Sequence, residues 1–576
     1  MSTRARAVRA AFAALACTLL AGCVQMPTEG PVEVPQVTAE PDDVPGISFD
    51  PRPPRAGDPP ADIVAGFLEA MKATPIRQTV ARQFLSSEAA DGWKPEQQII
   101  TYSELGDPEG ETSVRIPMTD VNLYDARGAW QRTVATRGLP LGLVEEDGEW
   151  RIDEVPDALI VPDSWFDDQY QRVSLYFFDP TSEVLVPEPA FAPRGDQLAS
   201  SLVRGLLPPS DVPADVSRTY FPVGTTLELS VPINSGIAEV ALSGDPDAID
   251  EETAERMLAQ LAWTLRQEPR INAFQLSVGG RPFSLTGGST PVGFDVGAGY
   301  DPDDLASNDL FALADGVVVR GLLGEFDPTL GPLGEADYGL RSIGVDLGGA
   351  RVAGISDDGS RLVVAPTEAP DGEVSTVISE AVDLAAPAWD YRGRVWTLDR
   401  NGGRARTILA VDGAAAVESV PGLSGRTVTK LLVSRDGTRL VAVVRGPQAD
   451  RVVSTRVRHD TDGATTGFTP LQTLPLPDDG NLRIRDIGWR SPTSVSVLRA
   501  SADFSQVRTL SVDGSPGEIA TGGNARLRGR FRTLLSTPVD LSEVFALAGR
   551  TVRSLTRPER TVPDLPPGLT SVTYVG

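Results

Sequence analysis

The sequence predicts a multidomain protein: two α+β domains followed by an all-β propeller of about six blades. Three observations carry this. Over residues 58–165, helical stretches give way to a run of alternating strands. Over 166–310, a long amphipathic helix lies between strand patterns. From about 320 to 576, helical periodicity disappears and units of strand, tight turn and strand repeat.

Residues 1–22 read as a signal segment. Arg4, Arg6 and Arg9 form a basic front, and residues 10–20 form an apolar core too short to cross a bilayer. At its end, Leu20-Ala21-Gly22-Cys23 matches the lipobox of bacterial lipoproteins. That resemblance implies cleavage between Gly22 and Cys23, a diacylglycerol on Cys23, and a chain tethered to the extracytoplasmic face of the cell membrane. The alternative is a plain secretory signal with a chance cysteine. Residues 23–57 are rich in Pro, Asp, Glu and Gly and read as an extended tether.

In the first domain, 58–165, Asp58-Pro59-Pro60 opens a helix with Asp58 as its expected cap. Ile63, Val64, Phe67, Leu68 and Met71 form one apolar stripe. Val80, Phe84 and Leu85 suggest a second helix. Strand patterns then cover 98–102, 112–124, 129–135, 141–145 and 150–152, with Asp147-Gly148 as a hairpin turn. This order resembles the cone-shaped, nuclear-transport-factor-2-like (NTF2-like) fold.

The second domain, 166–310, begins with a strand at 173–178 and a helix marked by Leu198, Leu202, Val203 and Leu206. Leu227, Leu229 and Val231 alternate, as do Ala238, Val240 and Leu242, so both are expected as strands. Ala254, Met257, Leu258, Leu261, Ala262 and Leu265 define the clearest helix, with Asp250, Glu251 and Glu252 at its N-terminus. Phe274, Leu276 and Val278 then lead into Gly279-Gly280. The segment resembles the GerMN domain of spore-germination proteins through Leu206-Leu207-Pro208-Pro209, Phe221-Pro222-Val223-Gly224-Thr225, 238–242 and 257–280.

In the third domain, 320–576, residues 354–364 resemble 432–442, with variants at 387–396 and 487–497. Asp-Gly pairs supply the turns. Gly359, Gly393 and Gly437 recur at the period of a propeller blade.

Composition restricts the chemistry. The chain has two cysteines and one histidine. Cys17 falls in the signal segment and Cys23 in the lipobox, so no disulfide or thiolate metal site is expected beyond them. His459, between Arg458 and Asp460, reads as a surface residue rather than a catalyst. The net charge of −27 repels phosphate backbones, so no nucleic-acid partner is expected.

No phosphate-cradling glycine loop or Gly-x-Ser-x-Gly elbow occurs. Asp357 and Asp358 are acid/base candidates better explained as turn residues. Asp301, Asp303, Asp304 and Asp309 are calcium candidates better explained as an acidic linker. Trp389, Trp396 and Trp489 are binding-face candidates better explained as inter-blade core. No catalytic residue, metal or cofactor is expected.

Lipobox, tether, α+β domain, GerMN-like domain and degenerate propeller, in that order, resemble the LpqB family of actinobacterial lipoproteins. Asp50-Pro51-Arg52-Pro53-Pro54 and Ile63-Val64-Ala65-Gly66-Phe67-Leu68-Glu69-Ala70 fit its first domain. The resemblance implies a non-enzymatic accessory of a sensor histidine kinase, MtrB of the MtrAB two-component system, bound through the kinase's extracytoplasmic region and linked to envelope growth and division. The alternative is a propeller that binds or acts on cell-envelope glycan, which would need acids and tryptophans converging on the propeller's central channel.

Overall fold

The computed structural model describes residues 48–576 except 208–213, 305, 477–482, 502, 518–523 and 540–541. Gly22, Cys23 and the signal segment lie outside the described residues. Pro51–Gly576 form one compact unit.

The first helix, Pro60–Ala70, buries Ile63, Val64, Phe67 and Leu68 on one face. Pro59 occupies its N-cap without a side-chain cap. Asp58 does not cap it, because its carboxylate accepts the Arg55 N–H at 2.8 Å instead. The second helical stretch is two short pieces, Ala81–Phe84 and Ser87–Gly92, the latter capped by Ser86 through the Ala89 N–H. Strands Gln98–Tyr102, Glu104–Leu105, Ser113–Asp125, Trp130–Glu146, Glu149–Glu154 and Leu159–Pro162 form one sheet over these helices. Asp147 and Gly148 both take positive φ at the hairpin, as the Asp-Gly pair predicts.

A short helix, Asp163–Gln169, leads into a long hairpin, Tyr170–Phe178 with Leu185–Pro193. The second hairpin strand was not legible in the sequence, because Pro187, Pro189 and Pro193 argue against a strand. Proline is tolerated here because the sheet has only two strands, so one edge needs no ladder donors. Behind the hairpin pack helices Leu198–Leu206 and Glu251–Leu265. Asp250 caps the second of these through the Thr253 N–H at 2.7 Å. That helix is the crossover between parallel strands Ile237–Leu242 and Ala273–Val278. The strand expected from Leu227, Leu229 and Val231 reduces to a single bridge between Leu227 and Leu242, and Leu229 is 72% exposed.

Among the described residues, six sheets make up the remainder. The first contains Leu310–Ala314, ahead of the expected start at 320, and is completed by Leu569–Thr573 from the end of the chain. This pairing joins the last segment to the first and closes the ring without an open edge between them. We number the blades one to six in chain order. The repeat register differs from the sequence reading at one point. Gly393 and Gly437 turn the first strand of blades three and four into the second. Gly359 turns the second strand of blade two into the third, on the opposite face. The Ser-x-Asp-Gly-Ser/Thr turn is the same local structure used at three places in a blade, after the first strand at Gly437, the second at Gly359 and the third at Gly514.

Candidate functional site on the covered face of the propeller

The three domains meet along the long hairpin. In its second strand, Ala190 and Ala192 join the apolar core of the second domain, while Phe191 between them joins that of the first. Alternation along a strand sends neighbouring side chains to opposite sides, so one strand serves two cores. Phe191 packs against Tyr124 and Phe166 with ring centroids 5.2 Å apart in each case, and Phe166 stacks on Tyr170 at 4.6 Å. The seam between the first two domains is therefore an aromatic core.

The seam between the second domain and the propeller is built differently. Arg392 of blade three reaches Glu183 at 2.8 Å. In blade four, Arg435 meets Asp303 at 2.7 Å and Arg458 meets Asp215 at 2.7 Å. Glu188 of the hairpin lies between two guanidinium groups, Arg439 at 3.3 Å and Arg456. Burial pushes the Glu188 carboxyl up, but Arg456 and Arg439 outweigh it and hold the group below the ordinary range. Burial first, and the neighbouring Arg456 charge second, lower Arg439 to about 10. Tyr391 donates to Asp179 at 3.0 Å. Arg172 stacks over Phe191 and donates to Ser515 Oγ at 2.6 Å, touching both seams. Among the described residues, no apolar cluster spans this second seam.

A cavity of about 220 Å³ lies within the seam, walled by Tyr176 and Trp263 on one side and Trp489 on the other, with Arg266, Asp301 and Arg435 at its edge. Arg266 stacks over Trp263. Burial is the main cause of a raised Asp301 pKa.

The residues singled out by sequence fall as follows. His459 is buried, not at the surface. Its backbone N–H bonds to Asp215 O at 2.9 Å, and its Nε2 is 3.3 Å from Arg394. Burial, reinforced by the Arg394 charge, lowers its pKa to about 4. The sequence reading missed this because polar neighbours along the chain do not reveal that a domain covers the strand.

Asp358 is a turn residue, taking hydrogen bonds from Ser356 and Ser360. Asp436 repeats that pattern with Ser434 and Thr438, and Asp513 with Ser511 and Ser515. Asp303 is ion-paired and Asp301 accepts the Asp303 N–H. Among the described residues no group of three or more ligating side chains could hold a metal. Trp389 and Trp396 are buried core. Trp389 donates to Gly344 O across blades, as Trp489 does to Val433 O, but Trp489 also walls the seam cavity. The arginine face was not read from the sequence. Its signal was the concentration of Arg392, Arg394, Arg435, Arg439, Arg456 and Arg458 in a strongly acidic chain.

Three family models match the chain. They are the N-terminal domain of lipoprotein LpqB at residues 53–167, a sporulation and spore germination domain at 174–284, and the lipoprotein LpqB beta-propeller domain at 316–529. Lipoprotein LpqB of Thermobifida fusca is 29% identical, covering 92% of this chain and 93% of its own. That of Streptomyces coelicolor is 28% identical over 88% and 89%. Among solved structures, the first GerMN domain of the sporulation protein GerM from Bacillus subtilis matches 22% of this chain and 96% of its own, at 22% identity and a TM-score of 0.19.

Proposed function

Because the chain belongs to the LpqB lipoprotein family, we propose that it is a non-enzymatic accessory of a sensor histidine kinase, MtrB-like in the MtrAB system. In this reading Cys23 carries a diacylglycerol after cleavage behind Gly22. The lipid holds the protein on the extracytoplasmic face of the cell membrane, where it meets the kinase's extracytoplasmic region and tunes output linked to envelope growth and division. No helix among the described residues is long and apolar enough to cross a membrane, so the lipid supplies the anchor in this proposal. The observation that carries the reading is the order of the three matched domains behind a lipobox.

The test is a pull-down with the chain from residue 24 onward against detergent-solubilised membranes. The reading expects a sensor kinase, lost when the kinase's extracytoplasmic loop is removed. Recovery of no kinase overturns it. Separately, Cys23→Ala should release the protein from the membrane fraction; a variant that stays bound contradicts the lipid anchor.

A second reading, binding of envelope glycan, is favoured by one observation. Tyr176, Trp263 and Trp489 converge with Asp301 on the seam cavity, and aromatic faces beside hydrogen-bonding groups suit a sugar ring. Retention of cell-wall glycan by the wild type, abolished by Trp263→Ala, would support it.

A further inference from the structure

The propeller face beneath the second domain concentrates Arg392, Arg435, Arg439, Arg456 and Arg458 in blades three and four, and each is met by a carboxylate from outside the propeller. The net charge of the chain is −27, so this cluster runs against the overall composition. Its centre has the form of a carboxylate receptor. Arg439 and Arg456 hold the two oxygens of Glu188 from different strands, the arrangement by which guanidinium groups recognise acids.

Because no apolar cluster spans this seam among the described residues, displacing Glu188 with another carboxylate exchanges like for like. The first seam offers no such exchange, since Phe191 and Tyr170 are embedded in the core of the first domain. The first two domains would thus leave the propeller as one body.

We propose that the arginine face of blades three and four is a binding surface for an acidic protein segment, held closed in cis by the hairpin that carries Glu183 and Glu188. The proposal deepens the accessory reading, on which it rests for the existence of a protein partner. It makes the second domain the occupant of the surface a partner would use, so binding and opening are coupled through competition for the same arginines.

The test uses the full chain from residue 24 onward with poly-L-glutamate as the probe. The wild type should bind it weakly. Glu188→Arg, which places a third cation against Arg439 and Arg456, should open the seam and bind it at least about tenfold more tightly. Glu188→Arg with Arg439→Glu should return binding to the wild-type level by restoring an opposed pair. Glu228→Arg, an equal charge change on an exposed residue, should leave binding within about twofold of wild type.

Should Glu188→Arg fail to fold, Glu183→Arg with Asp215→Arg attacks the seam through its more exposed pairs and carries the same expectation. Unchanged binding in whichever opening variant folds overturns the proposal. So does an equal gain from Glu228→Arg. If the kinase is recovered while poly-L-glutamate binding stays flat, the arginine face falls and the accessory reading stands. If poly-L-glutamate binds as expected and no kinase is recovered, the accessory reading falls and the surface stands.

Discussion

The two seams of this molecule join three domains by opposite means. The first packs Tyr124, Phe166, Tyr170 and Phe191 into one aromatic core. The second sets Glu188, Asp303, Asp215 and Glu183 against arginines. Apolar burial has no charges for salt to screen or a competing carboxylate to replace, so the first seam behaves as part of a fold. Buried ion pairs add little net stability over an apolar alternative, yet lose much when one partner is removed. The second seam is therefore specific in register but exchangeable. The pair teaches that a single hairpin can be welded on one side and latched on the other.

The comparison can be broken by mutation. Phe191→Ala should have the largest effect, about 3–5 kcal/mol, by emptying the shared core. Calorimetry should show the first and second domains losing stability together; a loss confined to one domain would mean that the seam is not a common core.

Glu188→Ala should cost about 2–5 kcal/mol, because Arg439 and Arg456 remain partly buried and unpaired. Here the loss should appear as faster hydrogen exchange in strand Arg451–His459, with the first seam still protected.

Acid should act next. His459 titrates near 4 in the folded chain, below its ordinary value of about 6.5. The unfolded chain therefore binds the extra proton first as pH falls. The contribution is unaffected above about 6.5 and stability drops by roughly 1.4 kcal/mol per unit between there and about 4. Glu188 works in the same direction lower down: its depressed pKa stabilises the seam above the ordinary carboxyl range and that stability is lost as pH falls through it. Imidazole NMR is unambiguous in a chain with one histidine. A midpoint near 6.5 in the folded protein would contradict the burial of His459. The smallest effect belongs to Glu183→Ala, under about 1 kcal/mol, because the Arg392–Glu183 pair is solvent-screened, with Glu183 56% exposed.

Much of this architecture was legible because local periodicity and turn chemistry agree with it. The helix Glu251–Leu265 with its acidic N-terminus follows from spacing and charge, the Asp147-Gly148 hairpin from turn chemistry, and the inter-blade Trp389 from its place in a blade strand. Three things were not legible, each for a tertiary reason. The strand Leu185–Pro193 hides behind prolines that only an edge position permits. Gly359 shares a turn motif with Gly437 but sits on the other face, since a turn sequence specifies local geometry and not its place in a blade. His459 and the arginine face are defined by what lies across the seam, and no pattern along one strand records a partner more than a hundred residues away.

The most direct test of the latch is a distance measurement. The last cysteine in the sequence is Cys23, so introduced pairs can be spin-labelled cleanly in the chain from residue 24 onward. One pair, Asp91→Cys with Glu228→Cys, spans the aromatic seam; the other, Glu228→Cys with Ala416→Cys, spans the ionic one. Both pairs are compared in the wild type and in Glu188→Arg, because carboxylate–arginine pairs this buried are little screened by salt. The account predicts that in Glu188→Arg the second distance distribution lengthens and broadens while the first stays fixed. Two distributions that move together, or a second that does not move, would contradict it.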